Sequence, residues 1–417
     1  MTWRAMRIAL VLDQFDPARG GIEQWTAALA HALADRGHEV HVVARRFAAE
    51  VESNRWACWP VAARRAGLEF AEAVLPVLVE LAPDVIHDMG FGWYCDVLQP
   101  HGGVRAAVAE RKTAHWPGWL RGLQRAAARF SPRHRRLERL SAAQYADHGQ
   151  TFVAVSNMVA ADIERFHGVP RDRIRVIPNG VDSARFAPTG SPHRRRMLRR
   201  ALGIADGTIV ALCVAHNFRL KGVGTLIEAV ARLRRHDVPV HALVVGGRRL
   251  QRWRRRADRL GIGRHITFVG AQPDTAPYYA AADLYVHPTL YDSCSLVLLE
   301  AAAAGLPLIT TRCNGAAELF RDGSEQLLVD DPRSAVELGE AIRSLAPSEA
   351  RRRMGEAARQ RAVELSSERN VDAIVSLYRE IVARRGPRRE APAEALPSVA
   401  AVGAAPRLAP SVVGARG

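Results

Sequence analysis

The chain has 417 residues, more than one hydrophobic core of roughly 250–300 residues accommodates, so two domains are expected. Its 48% hydrophobic and 24% charged content excludes wholesale disorder. The net charge of +16 favours polyanionic partners, but only Lys112 and Lys221 are lysines, and so arginine-rich a basic set also fits a general compositional bias.

The expected elements alternate between strand and helix. An apolar run at 8–12 reads as a buried parallel strand, followed by the Gly20-Gly21 turn, a helix over 22–35 stopped at Gly37, and a strand at 40–43. Further strands are expected near 85–87 and 152–155. The pattern restarts with a strand at 209–215, a helix over 223–233, a strand at 242–245, a basic helix near 250–260, and strands at 266–269, 284–287 and 308–310. Such alternation implies open parallel sheets. The expected division is an N-terminal domain over 1–186, a linker within 186–200, a second domain over 187–367, a helix over 368–386 crossing back to the first domain, and a disordered tail over 387–417. Five scattered cysteines without a C-x-x-C pair argue for reduced thiols and against a zinc site or a disulfide framework. The run at 8–12 is too short for a signal sequence, and no stretch approaches the ~20 apolar residues of a membrane span. A cytoplasmic protein is expected.

Residues 104–140 hold ten basic residues against Glu110 and Glu138, a net of +8. Arg121, Arg125 and Arg129 recur every four residues, with Trp116, Trp119, Leu120, Leu123 and Phe130 on the other face. A basic face opposite an aromatic one is the pattern of a helix lying on an anionic membrane surface. The competing reading is an amphipathic helix packed on its own domain.

Four loops carry candidate chemistry. Gly20-Gly21 precedes a helix whose free N–H groups suit a phosphate, and it lacks the G-x-G-x-x-G pattern of a nicotinamide or flavin site. Asn217 to Gly222, with Lys221, follows the first strand of the second half, where α/β sheets bind ligands. Tyr291-Asp292-Ser293-Cys294-Ser295-Leu296 leads into a helix capped by Ser293 or Ser295 and carrying Glu300, with amides suited to phosphate or sugar hydroxyls. Taken alone, Asp292 and Glu300 also read as dipole compensation and an ordinary helical glutamate. The fourth loop, Gln99 to Gly103, contains His101.

In this order the segments resemble the retaining glycosyltransferases of family 4, over roughly 6–386. The family's G-G-x-E looks like Gly20 to Glu23, its lysine-glycine loop like Lys221-Gly222, and its acidic-x7-Glu signature like Asp292 to Glu300. The stretches 218–222 and 287–301 are similar to lipopolysaccharide-core glucosyltransferases, which carry a basic membrane-associating patch in their first domain.

The resemblance implies a GT-B fold, α/β, with two Rossmann-like domains facing across a cleft. It implies a nucleotide-sugar donor, uridine-linked by that likeness, a saccharide or glycolipid acceptor, no metal and no cofactor. It gives Glu300 the ribose hydroxyls, and Asp292 with the amides of Ser293, Cys294, Ser295 and Leu296 the sugar hydroxyls. Lys221, helped by Arg185 or Arg219, would face the diphosphate, Gly20 and Gly21 the distal phosphate, and His101 the transferred sugar. Two positions depart from the pattern: Asp292 stands where glutamate is common, and His216 where an arginine is frequent. The implied enzyme works at the cytoplasmic face of the inner membrane. Two alternatives are an epimerase or phosphorylase of the same fold, and a basic nucleic-acid-binding protein, for which no motif speaks.

Overall fold

Uninterrupted apolar runs give the chain strands covered on both faces, which is how parallel sheets are stabilised. A computed structural model describes residues 4–385 apart from 19, 49–54, 115, 118, 121, 124–126, 128–129 and 189–191. In the first half, β1 (Arg7–Phe15), β2 (Glu39–Phe47), β3 (Ala57–Pro60), β4 (Val85–Asp88), β5 (Val97–Leu98), β6 (Thr151–Ala154) and β7 (Ile174–Val176) form one sheet. Its order is β3-β2-β1-β4-β5-β6-β7, with every pairing parallel. In the second half, β8 (Ile209–Ala215), β9 (Val240–Gly246), β10 (Ile266–Gly270), β11 (Leu284–His287), β12 (Leu308–Thr311) and β13 (Gln326–Val329) form another, in the order β10-β9-β8-β11-β12-β13. Its pairings are also all parallel.

Both sheets reverse direction beside their first strand, at β1/β4 and at β8/β11. The loops leaving those strand ends diverge there and open the crevice in which such sheets bind ligands. All seven side chains of β8 are buried. The expected strands and helices of both halves are present, with β1, β2, β9 and helix Val223–Arg235 extending two or more residues beyond their expected bounds.

Helix Ser367–Arg385 packs on the first domain. Val371, Ile374, Leu377, Tyr378 and Ile381 share a core with Ile8, Leu10, Trp25 and Leu29. Trp25 Nε1 donates to Asn370 Oδ1 at 3.2 Å, and Tyr378 hydroxyl meets His87 Nδ1 at 2.6 Å. The two chain crossings are stitched together: Val181 N donates to Leu365 O at 2.9 Å and Ser367 N to Val181 O at 3.1 Å. Gly180 is required there, because a β-carbon would collide with the Ser366 backbone.

The second half of the expected linker is instead a helix, Pro192–Ala201. Its arginines do not simply face solvent. Arg195 and Arg199 pair with opposite oxygens of Asp283 at 2.5 and 2.7 Å and also reach the carbonyls of Ala280, Ala281 and Ala282. These contacts fasten this part of the expected linker to the second domain.

Within 104–140 the structure has helices Arg105–Thr113 and Pro132–Tyr145. Between them Trp119, Leu123 and Phe130 are 67%, 59% and 83% exposed, so these three side chains are not packed on the domain that carries them. Arg121, Arg125 and Arg129 lie outside the described residues, as does the tail at 387–417.

Candidate active site

The crevice between the sheets encloses about 430 Å³ and takes walls from both domains. From the first come Gly20, Gly21, Ile22 and His101; from the second, Lys221, Asp292, Ser293, Cys294, Ser295, Leu296 and Glu300. Arg185, just before the second domain, also lines it.

Two helix N-termini meet here. Helix Gly21–Asp35 begins at Gly20 with no side-chain cap, which leaves its first amides open. Helix Leu296–Ala303 begins at Ser295, whose hydroxyl accepts from Leu298 N at 3.3 Å. A β-carbon on Gly21 would lie 3.3 Å from Leu296 Cδ1, so the two positive dipole ends share one space. That space suits a polyanion.

Asp292 anchors the second wall. Its Oδ2 accepts from Lys221 Nζ at 2.5 Å and contacts His287 Nε2 at 3.0 Å. Burial alone would raise this carboxyl, but Lys221 and His287 outweigh it and hold Asp292 well below the usual carboxylate range. Burial depresses His287 despite the pull of Asp292, so the imidazole is neutral. A carboxylate can only accept, which places the proton on Nε2 and leaves Nδ1 to face Tyr285 hydroxyl at 3.2 Å.

Gly222, next to Lys221, has φ of +69°, and a side chain there would strike the Pro288 carbonyl. The lysine loop therefore lies directly against the loop that carries Asp292.

The low Asp292 pKa has a consequence for stability. A carboxylate more acidic in the folded than in the unfolded chain contributes fully above about pH 4, and that contribution drains away as pH falls toward the folded value. Asp292→Asn is expected to cost about 3 kcal/mol at pH 7 and progressively less below pH 4, followed by denaturant unfolding across pH. A difference that stays constant across that range would contradict the ion-pair account.

Glu300 accepts from Tyr279 hydroxyl at 2.7 Å. Burial raises its carboxyl, while Tyr279 and the charge of Arg185 pull it back. His101 is buried, and its imidazole pKa is pushed down to about 3 by that burial. It is neutral at physiological pH and can act as a hydrogen-bonding group but not as a cation. Its ring lies 4.3 Å from that of Trp25, its carbonyl accepts from Ser293 Oγ across the crevice, and its Nε2 has no partner among the described residues.

The expected residues do not all converge. Arg219 is exposed and absent from the crevice wall. Arg185 stands on Glu300's side and pairs with Asp274 at 3.3 Å. Lys221 and Asp292, expected to act on different parts of a ligand, are bound to each other. The Ser295 amide donates to Asn314 Oδ1 at 3.4 Å and so is already engaged.

Sequence reasoning missed several groups. Gly246-Gly247 ends β9 and lines the crevice; the rule applied to Gly20-Gly21 would have found it. Tyr279 and His287 carried no signal before their partners were known. Asp88, at the end of β4, accepts from the amides of Gly90, Phe91 and Gly92, each at 2.7 Å, and burial lifts its carboxyl to about 6.

Residues 19–185 match the family described as Glycosyltransferase Family 4, and 194–361 match Glycosyl transferases group 1. The chain belongs to glycosyltransferase family 4. The GT-B architecture agrees: the crystal structure of WaaG, a glycosyltransferase involved in lipopolysaccharide biosynthesis, superposes with a TM-score of 0.76 at 24% identity, covering 89% of this chain and 99% of that one. Anabaena HepE in complex with UDP and glucose superposes with a TM-score of 0.67 at 19% identity, over 90% and 100%.

Among family members compared by sequence, the D-inositol 3-phosphate glycosyltransferase of Corynebacterium urealyticum is 33% identical over 61% of this chain and 63% of its own length. The lipopolysaccharide glucosyltransferase WaaG of Escherichia coli is 31% identical over 44% and 49%. These matches thus span less than two thirds of either relative. The GDP-mannose-dependent phosphatidylinositol monomannoside mannosyltransferase of Mycolicibacterium smegmatis is 28% identical over 80% and 92%.

Proposed function

We propose that the protein is a retaining glycosyltransferase that moves a hexose from a nucleotide-sugar, UDP-glucose-like, to a cell-envelope saccharide or a lipid-linked acceptor such as lipopolysaccharide core. The observation that carries this reading is the meeting of two helix N-termini at the sheets' switch points, bordered by Lys221, Asp292 and Glu300.

The diphosphate sits between the helix ends. Glu300 holds the ribose hydroxyls, since a carboxylate accepts two hydrogen bonds. Neutral His101 meets the transferred sugar, and Asp292 the sugar's hydroxyls. As the bond from the anomeric carbon to the diphosphate oxygen breaks, charge builds on the leaving group. The fixed amides and Lys221 stabilise it where it develops. The acceptor hydroxyl attacks from the same face, its oxygen bonds to the anomeric carbon, and its proton passes to the departing phosphate. The products are the glycosylated acceptor and the nucleoside diphosphate. No metal or cofactor enters these steps.

No helix among the described residues is long and apolar enough to cross a membrane. The exposed Trp119, Leu123 and Phe130, amid the basic residues of 104–140, support peripheral attachment to an anionic membrane surface at the cytoplasmic face. Nucleic acid is not a partner in this reading.

Thermal-shift and calorimetric titration against UDP, GDP, ADP and their sugar conjugates, with and without anionic vesicles, tests the proposal. Stabilisation by one nucleotide is expected, because a ligand that binds only the folded state raises its stability. Silence from every nucleotide on folded protein would overturn it.

A further inference from the structure

The backbone of His101 is tied on both sides. Its N–H donates to Gln99 O at 2.8 Å, and its carbonyl accepts from Ser293 Oγ. The imidazole is held differently. Its Nε2 has no partner among the described residues, so packing has to set the angle of the ring. Trp25, on helix Gly21–Asp35, lies against it with ring centres 4.3 Å apart and planes inclined at 55°. A large flat side chain at that distance restricts how the imidazole turns.

Trp25 is itself fixed from the far end of the chain. Its indole N–H donates to Asn370 Oδ1 at 3.2 Å, and Asn370 Nδ2 donates to the Pro178 carbonyl at 2.6 Å. Both ends of the Asn370 amide are thus engaged, which settles which end faces Trp25. The indole also meets His87 edge-on, with ring centres 6.1 Å apart. His87 Nδ1 lies 2.6 Å from Tyr378 hydroxyl. Burial keeps Tyr378 protonated, and it pushes His87 down to about 3 against an opposing pull from Gln99. Among the described residues the hydroxyl has no other partner, and a buried proton without an acceptor is costly. Tyr378 therefore donates, and His87 carries its proton on Nε2. Asn370 and Tyr378 stand about two turns apart on the closing helix, Ser367–Arg385. The rings around a crevice residue of the first domain are thus set by the last helix of the chain.

We propose that Trp25, Asn370 and Tyr378 are positioning residues for His101: the closing helix fixes the indole and His87, and these rings hold the His101 imidazole at one angle toward the transferred sugar. The inference rests on the role given to His101 above. A group that meets a transition state acts best when it is oriented beforehand, since a freely turning ring must be ordered again at every turnover.

The test uses the full chain. Calorimetry with UDP reads binding. Turnover is read as hydrolysis of UDP-glucose, or of the GDP- or ADP-sugar selected in the titration above, with water in place of a saccharide acceptor. Trp25→Leu is expected to lower kcat about 10-fold with UDP affinity within about twofold, and Trp25→Phe, which keeps a ring, to restore most of the loss. Tyr378→Phe, which removes one hydroxyl and disturbs folding least, is expected to lower kcat about threefold. The deciding measurement is a double-mutant cycle: in a His101→Ala background either substitution is expected to change kcat by less than about twofold. Full losses in that background would mean that these residues support the domain at large and would overturn the inference, as would unaltered kcat in both single variants. Nitrogen spectra of ring-labelled histidines give a reading apart from activity. The His101 signals, assigned by their loss in His101→Ala, are expected to report one neutral tautomer in the unaltered protein and an average of two in Trp25→Leu and Tyr378→Phe; identical spectra would count against positioning. Undiminished turnover in His101→Ala would remove His101 from the reaction and the inference with it. Absence of nucleotide binding by the unaltered protein would instead strike the proposed function.

Discussion

Lys221→Ala is expected to lower kcat/KM at least about 100-fold, a loss of about 2.7 kcal/mol of transition-state stabilisation. The lysine reaches the crevice from the loop after β8, and among the described residues its ammonium is the only lysine charge lining the crevice. In the structure it neutralises Asp292 at 2.5 Å. Alanine therefore removes the cation facing the leaving group and also leaves a buried carboxylate with His287 as its remaining partner. These effects separate in measurement. The stability cost falls when Asp292→Asn is added, because no uncompensated charge remains, whereas the kinetic loss persists. Recovery of turnover in the double variant would mean that Lys221 acts through Asp292 alone.

Glu300→Ala should produce a loss of similar size, at least about 100-fold in kcat/KM, but with a different signature. Ribose contacts form in the ground state as well as the transition state, so weaker nucleotide binding should account for much of it. The substitution also deprives the buried Tyr279 hydroxyl of its acceptor at 2.7 Å, leaving the Val297 carbonyl at 3.2 Å. Glu300→Gln keeps an acceptor for Tyr279 and is expected to fold normally while still binding nucleotide weakly. Near-unaltered nucleotide affinity in Glu300→Gln would remove Glu300 from the ribose site.

The architecture was legible because parallel strands covered on both faces must be continuous apolar runs, and β1, β8, β9 and β11 are such runs. The glycine turn and the loop before Glu300 were legible because ligand loops follow strand ends. Partnerships were not. Nothing in linear order reveals that Lys221 meets Asp292 across 71 positions, or that Ser293 reaches the carbonyl of His101 across 192. The clamping of Arg195 and Arg199 was hidden for the same reason: it depends on Asp283, far along the chain.

The closing helix, Ser367–Arg385, bears on how the molecule is made. The first domain buries Trp25, Leu29 and Ile8 against Ile374, Leu377 and Tyr378, which leave the ribosome more than three hundred residues later. Domains ordinarily fold as units, N-terminal first, during synthesis. Here the first-made sheet must wait with an apolar face uncovered while the second domain, one of whose core clusters is drawn from a contiguous stretch, is made. Completion of the first domain is thus coupled to the arrival of the last helix.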